Sequence, residues 1–177
     1  MIFVTVGSQL PFPRLVRAVE AWAKGAGRDD VFFQVGDTDD APIGFRSARG
    51  LGPAEFEAEI ARASMVVGHA GTGTLMAALS AGKPVVMLAR RAALSETRND
   101  HQVTTVDRFG GRPAVFATVD ESEVGELIEA ALRAEPHGGS AVGNHATGPL
   151  VDRLRSFLNE HMGADGARGS GRAARGS

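Results

Sequence analysis

Met65-Val66-Val67-Gly68-His69-Ala70-Gly71-Thr72-Gly73-Thr74-Leu75 decides the fold. Met65, Val66 and Val67 read as a short buried strand, apolar on both faces. Gly68 to Thr74 reads as a turn rich in glycine and threonine. Leu75 opens a helix over residues 75–81, which Gly82-Lys83-Pro84 stops. A strand, a glycine turn and a helix in that order form half of a βαβ unit. The same alternation extends outward in both directions. Upstream, residues 2–6 are a β-branched strand followed by Gly7-Ser8-Gln9. Leu15, Val16, Val19, Trp22, Ala23 and Ala26 then recur at helical spacing. Residues 31–35 are a second strand, with a short one expected near 44–48. Pro53 opens a helix whose apolar face holds Phe56, Ile60 and Ala63. Downstream, strands are expected over 85–88 and 114–117, and helices over 101–109, 121–134 and 150–162. The prediction is an α/β fold: a Rossmann-like parallel sheet flanked by helices, with right-handed crossovers. Such sheets bind ligands beyond the carboxyl ends of their strands, where the strand order reverses. The loops after Val6 and after Val67 therefore draw attention by position alone.

Composition narrows the possibilities. A chain of 177 residues with 43% hydrophobic and 23% charged residues is expected to form one core-bearing domain. We place it at residues 1–162. Residues 163–177 are almost entirely Gly, Ala, Arg and Ser, and read as a disordered tail carrying Arg168, Arg172 and Arg175. The absence of cysteine excludes disulfides, thiolate zinc sites and cysteine nucleophiles. A net charge of −2 leaves no electrostatic footprint for nucleic acid. The N-terminus lacks a basic leader, and no apolar run is long enough to cross a membrane, so a cytoplasmic location is expected.

Two loops carry candidate chemistry. Gly7, Ser8 and Gln9 offer backbone N–H groups, a hydroxyl and an amide ahead of a helix. Gly71, Thr72, Gly73 and Thr74 lie where a helix begins, with small residues that admit a ligand and hydroxyls suited to phosphate oxygens or to capping. The glycines exceed what a cap requires, which favours an anion site. Gly73 is not followed by the Lys-Ser/Thr of a phosphate-binding P-loop. Met76 occupies the third glycine position of a dinucleotide fingerprint, which argues against a dehydrogenase fragment. His69 follows the strand directly and could bond substrate or hold the loop. Glu96, Arg98, Asn99, Asp100, His101 and Gln102 form a polar cluster near the same crevice, and side chains such as His101 and Gln102 suit sugar hydroxyls. No metal-ligand set emerges. Leu10-Pro11-Phe12 could offer an apolar docking patch, or Phe12 could pack on its own helix.

Together Val4-Thr5-Val6-Gly7-Ser8-Gln9, His69-Ala70-Gly71-Thr72-Gly73-Thr74, Gly82-Lys83-Pro84 and Asn99-Asp100-His101-Gln102 resemble the family 28 glycosyltransferase C-terminal domain. The resemblance covers about residues 1–160. It extends to short stand-alone members: Alg13-like subunits and small subunits of two-component bacterial exopolysaccharide glycosyltransferases. It implies the C-terminal, donor-binding half of a GT-B enzyme. The implied activity is transfer of a hexose from a UDP-sugar to a lipid-linked or polysaccharide-precursor acceptor. That transfer would be inverting and metal-independent, with no cofactor beyond the UDP-sugar. A membrane-associated, Alg14-like subunit would bind the acceptor, supply the catalytic base and hold the chain at the inner face of the membrane. Gly7, Ser8 and Gln9 with Gly71, Thr72, Gly73 and Thr74 would hold the diphosphate. His69 and Ala70 belong to the same donor-binding motif. His101 and Gln102 would touch the donor sugar, and backbone around residues 51–53 would meet uracil.

One position departs from the pattern. Ala77 stands where the family usually places a glutamate that bonds the ribose. Loss of a charged acceptor costs about 1.5–3 kcal/mol of binding. Either Glu96 compensates, or donor affinity is weaker, or the nucleotide differs. The alternative reading is a non-catalytic nucleotide-sugar-binding or scaffold subunit.

Overall fold

The computed structural model describes residues 1–8 and 10–134. Gln9, the helix expected over 150–162 and the tail over 163–177 lie outside the described residues. The strands are β1 (Ile2–Thr5), β2 (Val31–Gln34), β3 (Arg46–Ala48), β4 (Met65–His69), β5 (Val85–Leu88) and β6 (Val115–Thr118). The helices are α1 (Pro13–Gly25), α2 (Pro53–Arg62), α3 (Thr72–Ser80), α4 (His101–Phe109) and α5 (Val124–Arg133). All pairings are parallel, in the order β3-β2-β1-β4-β5-β6. The order reverses between β1 and β4. There Thr5 pairs with Gly68 on one side and Gln34 on the other. The chain leaves β1 toward α1 and β4 toward α3, so a crevice opens between the two exits.

Every residue of β1, β2 and β5 is buried. A parallel sheet covered on both faces requires this, and it explains the unbroken apolar runs. Alternate side chains serve opposite layers. Ile2, Val4, Val67 and Val86 face Leu15, Val16 and Val19 of α1 and Val124 and Ile128 of α5. Phe3, Val66, Val85 and Met87 face Ile60 of α2, Leu75 and Leu79 of α3, and Phe109 of α4. In the second layer Phe3 stacks on Phe32 at 5.7 Å and meets Phe56 edge-on at 5.6 Å.

Three local expectations change. Helix α3 begins at Thr72, not Leu75. Gly71 is its N-cap residue in an extended conformation, so Thr74 is not the cap but a buried residue of the first turn. The segment expected as one helix over 121–134 opens as a single 3-10 turn, Glu121–Glu123, before α5. The Asp120 carboxylate caps that turn by accepting from the Ser122 N–H at 2.9 Å. Finally, of the two alternatives for Phe12, the structure shows packing beside its own helix and not docking. It is fully buried, with the guanidinium groups of Arg14 and Arg90 over its ring at 5.3 and 4.5 Å. Of the expected patch, Leu10 is half exposed.

Phe12 is therefore a core residue. Phe12→Ala should cost about 3–5 kcal/mol in chemical denaturation. Loss of under 1 kcal/mol would show that the ring is not load-sharing in the first apolar layer.

Candidate functional site

The crevice is a cleft of about 960 Å³. Thr5, Val6, Gly7, Ser8 and Leu10 form one side, and Gly71, Thr72, Gly73 and Thr74 the other. Leu51, Pro53 and Phe56 make an apolar wall, with Asp37 and Arg49 beside it. Arg90, Glu96, Thr97 and Gln102 close the remaining edge.

His69 ends β4 and packs its imidazole between the two loops. A Cβ on Gly7 would lie 2.6 Å from the ring Cε1, and a Cβ on Gly71 would overlap Nε2. Gly7 also has φ +83°, which a side chain would strain. Gly68 is crowded differently: a Cβ there would lie 2.9 Å from Thr74 Cγ2 and 3.2 Å from the Thr5 carbonyl oxygen. Only Gly73, of the glycines in this turn, has open space where a Cβ would stand. The abundance of glycine thus has a packing cause at positions 7, 68 and 71. Burial, reinforced by the positive charge of Arg90, pushes the His69 pKa down to about 4. The ring is neutral at pH 7. Its Nδ1 has no hydrogen-bond partner among the described residues.

Helix α3 points its N-terminus into the cleft. Its nine residues begin without a side-chain cap. The Gly71 N–H turns back to the His69 carbonyl at 2.7 Å. The N–H groups of Thr72, Gly73 and Thr74 fall in the first turn, where no intrahelical acceptor exists. The helix dipole adds partial positive charge at the same end. Three oriented donors at the mouth of a cleft suit an anion with several oxygens.

The loop after β1 is held by two side chains from elsewhere in the chain, Gln34 of β2 and Arg90 just beyond β5. Gln34 accepts from the Thr5 hydroxyl at 2.6 Å and donates to the carbonyls of Gly7 and Arg49 at 3.1 and 3.0 Å. The Arg90 guanidinium donates to the carbonyls of Val6 at 2.9 Å, Pro11 at 2.8 Å and Leu10. Arg14 donates twice to Glu96, both at 2.8 Å, and also to the Ala89 carbonyl and Glu121. Glu96 further accepts from the Arg91 N–H at 2.9 Å. Burial alone would raise the Glu96 pKa, but the bonds from Arg14 and Arg91 hold it below the ordinary carboxylate range.

Gly7, Ser8, His69, Gly71, Thr72, Gly73, Thr74, Glu96 and Gln102 all line the cleft. Ala70 does not; it is buried beneath, its N–H bonded to the Leu88 carbonyl at 3.0 Å. His101 is exposed at the start of α4 and is not part of the lining. Gln102 spends its carbonyl oxygen on the Arg90 N–H at 3.1 Å, leaving its amide N–H groups for a ligand. Both carboxylate oxygens of Glu96 are engaged by Arg14, so it is not free to stand in for a ribose acceptor. Gln34, Arg14 and Arg90 did not enter the sequence-based site. Gln34 interrupts an apolar strand and Arg90 stands two residues beyond β5, which are the signals that mark them.

The family model for the glycosyltransferase family 28 C-terminal domain matches residues 1–138. The chain belongs to that family. No curated protein sequence matches it. Its fold is that of GT-B glycosyltransferases. The solution structure of ALG13 aligns at TM-score 0.57 and 18% identity, covering 85% of this chain and 94% of that one. The spinosyn forosaminyltransferase SpnP aligns at 0.55 and 15% identity, over 89% and 39%. MurG of Acinetobacter baumannii aligns at 0.52 and 18% identity, over 87% and 49%. The chain thus spans less than half the length of SpnP and MurG.

Two measurements test the wedge. Gly71→Ala should destabilise the protein by about 2 kcal/mol or more, whereas Gly73→Ala should change stability by no more than about 1 kcal/mol. Equal effects in thermal denaturation would contradict the packing described. The second concerns pH. The folded-state pKa of His69 lies below its unfolded value, so the unfolded chain binds the extra proton between pH 6.5 and about 4. The contribution of His69 is complete above pH 6.5 and falls as pH drops toward 4, by about 3 kcal/mol. The stability of wild type relative to His69→Asn should therefore decline over that interval. A pH-independent difference would show that the ring titrates normally.

Proposed function

We propose that this chain is the donor-binding subunit of a two-component glycosyltransferase, holding a UDP-sugar with its diphosphate at the start of α3. The uncapped first turn of α3, facing the Gly7-Ser8 loop across the cleft, carries this reading. As the sugar–phosphate bond breaks, negative charge grows on the departing diphosphate. The N–H groups of Thr72, Gly73 and Thr74 already point at that position and need no reorganisation to stabilise it. The guanidinium of Arg90 adds positive potential while its hydrogen bonds fix the opposite loop. The amide of Gln102 is available to a donor-sugar hydroxyl. His69, being neutral, shapes the site and adds no charge.

The acceptor would be bound by a second subunit, with a lipid-linked or polysaccharide-precursor substrate. The likeness to ALG13, 94% of whose length is covered, supports a separate acceptor half. No helix among the described residues is long and apolar enough to cross a membrane.

Calorimetric titration with UDP, using NAD as control, tests the donor site, and Gly73→Asp separates binding from folding. An aspartate in the first turn stabilises a helix by about 0.3–1 kcal/mol yet opposes a bound diphosphate. We expect UDP and not NAD to bind the wild type, and Gly73→Asp to lose at least tenfold in UDP affinity with no fall in Tm. Unchanged UDP affinity in the variant would overturn the placement of the diphosphate. Sugar transfer appearing only when the acceptor subunit is added would support the two-component reading. UDP binding with no transfer in the complete pair would favour a scaffold subunit.

A further inference from the structure

A second hollow, of about 640 Å³, adjoins the donor cleft. Glu96 lines both, so the Arg14–Glu96 ion pair is the partition between them. Pro11, Pro13, Ala18 and Leu94 give the hollow its apolar surface, and Leu10, next to Pro11 in the chain, lines the cleft. Leu10 and Leu94 are both large apolar side chains left exposed, at 50% and 47%. Leu94 ends a 3-10 turn, Ala92–Leu94. Glu96 clamps that turn: its carboxylate accepts from the Arg91 N–H before the turn at 2.9 Å while Arg14 holds it after the turn. An apolar group already fixed in the exposed state loses little freedom when a partner covers it. The carboxylates at the rim are matched, Glu96 by Arg14, and Glu121 by Arg14 and, at 3.8 Å, by Arg91. The Ser122 hydroxyl is turned to Asp120 at 2.8 Å. Two cations nearby are less well matched. Arg17 lines the hollow and is 68% exposed, with a long pair to Asp40 at 3.5 Å. Arg98, beside the cleft-lining Thr97, is exposed and has no ion pair among the described residues.

Under the two-component reading given above, on which this inference rests, the donor sugar lies toward Gln102, at the edge that Glu96 and Thr97 help to close. An attacking oxygen must come within about 3–3.5 Å of the carbon it attacks. The subunit that brings the acceptor therefore has to seat against this same edge. We propose that the acceptor-binding subunit docks on the hollow beyond Glu96, placing an apolar side chain among Pro11, Pro13 and Leu94 and turning carboxylates toward Arg17 and Arg98. An anchor that fills a pocket carries much of the energy of a protein interface, and charges at its rim steer the approach. The concave form favours a protein over a lipid surface. A hollow receives a side chain, whereas a segment that enters a bilayer presents its apolar face outward.

The test is photocrosslinking of the full chain, carrying benzoylphenylalanine in place of Leu94, to membranes of the source organism. The same replacement of Leu132, exposed in the last turn of α5, is the control. We expect one membrane protein to be captured from position 94 and not from position 132. Purified and combined with the wild-type chain, that protein should transfer label from at least one of UDP-glucose, UDP-galactose and UDP-N-acetylglucosamine to lipid extracted from those membranes. Leu94→Asp and Arg17→Glu should each weaken the complex at least tenfold, with UDP affinity within twofold of wild type. Arg17→Glu decides the matter if Leu94→Asp folds poorly. Capture of a second copy of this chain, equal capture from both positions, a captured protein that supports no transfer, or a complex that neither substitution weakens would overturn the proposal. So would binding to phosphatidylglycerol vesicles with no protein captured. Failure of the wild type to bind UDP, read by calorimetry, would overturn the donor-site reading and the proposal with it.

Discussion

The imidazole of His69, wedged between Gly7 and Gly71, is the contact on which the rest of the site depends. It sits where the strand order reverses and sets the separation of the loops that leave β1 and β4. A smaller ring-free side chain would let the loops collapse, and a Cβ at either glycine would push them apart. The wedge works only as a neutral ring, because a charge buried at that point would repel Arg90 and lack solvation. Its geometry also frees the first turn of α3. With Gly71 folded back on the His69 carbonyl, the next three N–H groups are left to face the cleft.

Around the wedge lies a second layer of charged hydrogen bonds. Arg90 is almost fully buried, and its partners are backbone carbonyls and the face of Phe12. A buried guanidinium is costly unless all its donors are matched, and here its donors are spent on the carbonyls of Val6, Leu10 and Pro11, which ties those residues to the end of β5. Arg14 and Glu96 do the same for the segment after β5, which they tie to α1 and to the turn before α5. Rigid loops matter for a reaction driven by positioned dipoles, since a donor that must reorganise during bond breaking contributes less.

Much of this was legible in the sequence because the relevant physics is local. The largely apolar runs at 2–6, 31–35, 65–67 and 85–88 read as strands of a sheet covered on both faces, and their alternation with helical spacing points to the parallel arrangement. Helix α4 matched its expected limits, His101–Phe109, since a polar cluster precedes it and glycines follow it. What could not be read depended on contacts far apart in the chain. Phe12 could be read either way, docking or packing, because one of the groups that cover it, Arg90, lies 78 residues further along the chain. Glu96 looked available because its partner Arg14 lies 82 residues away. The glycines at 7 and 71 looked like room for a ligand because nothing local shows that His69 fills the space. The start of α3 was misjudged because threonine is a common cap, whereas here the methyl of Thr74 packs against Gly68.

The central claim is that the backbone at the start of α3 is where a nucleoside diphosphate binds. Amide NMR of the full chain, titrated with UDP, tests it most directly. The account predicts that the largest shifts fall on the N–H groups of Thr72, Gly73 and Thr74, saturating together with those of Gly7 and Ser8. Saturable UDP binding that leaves the Thr72, Gly73 and Thr74 amides unmoved would contradict it.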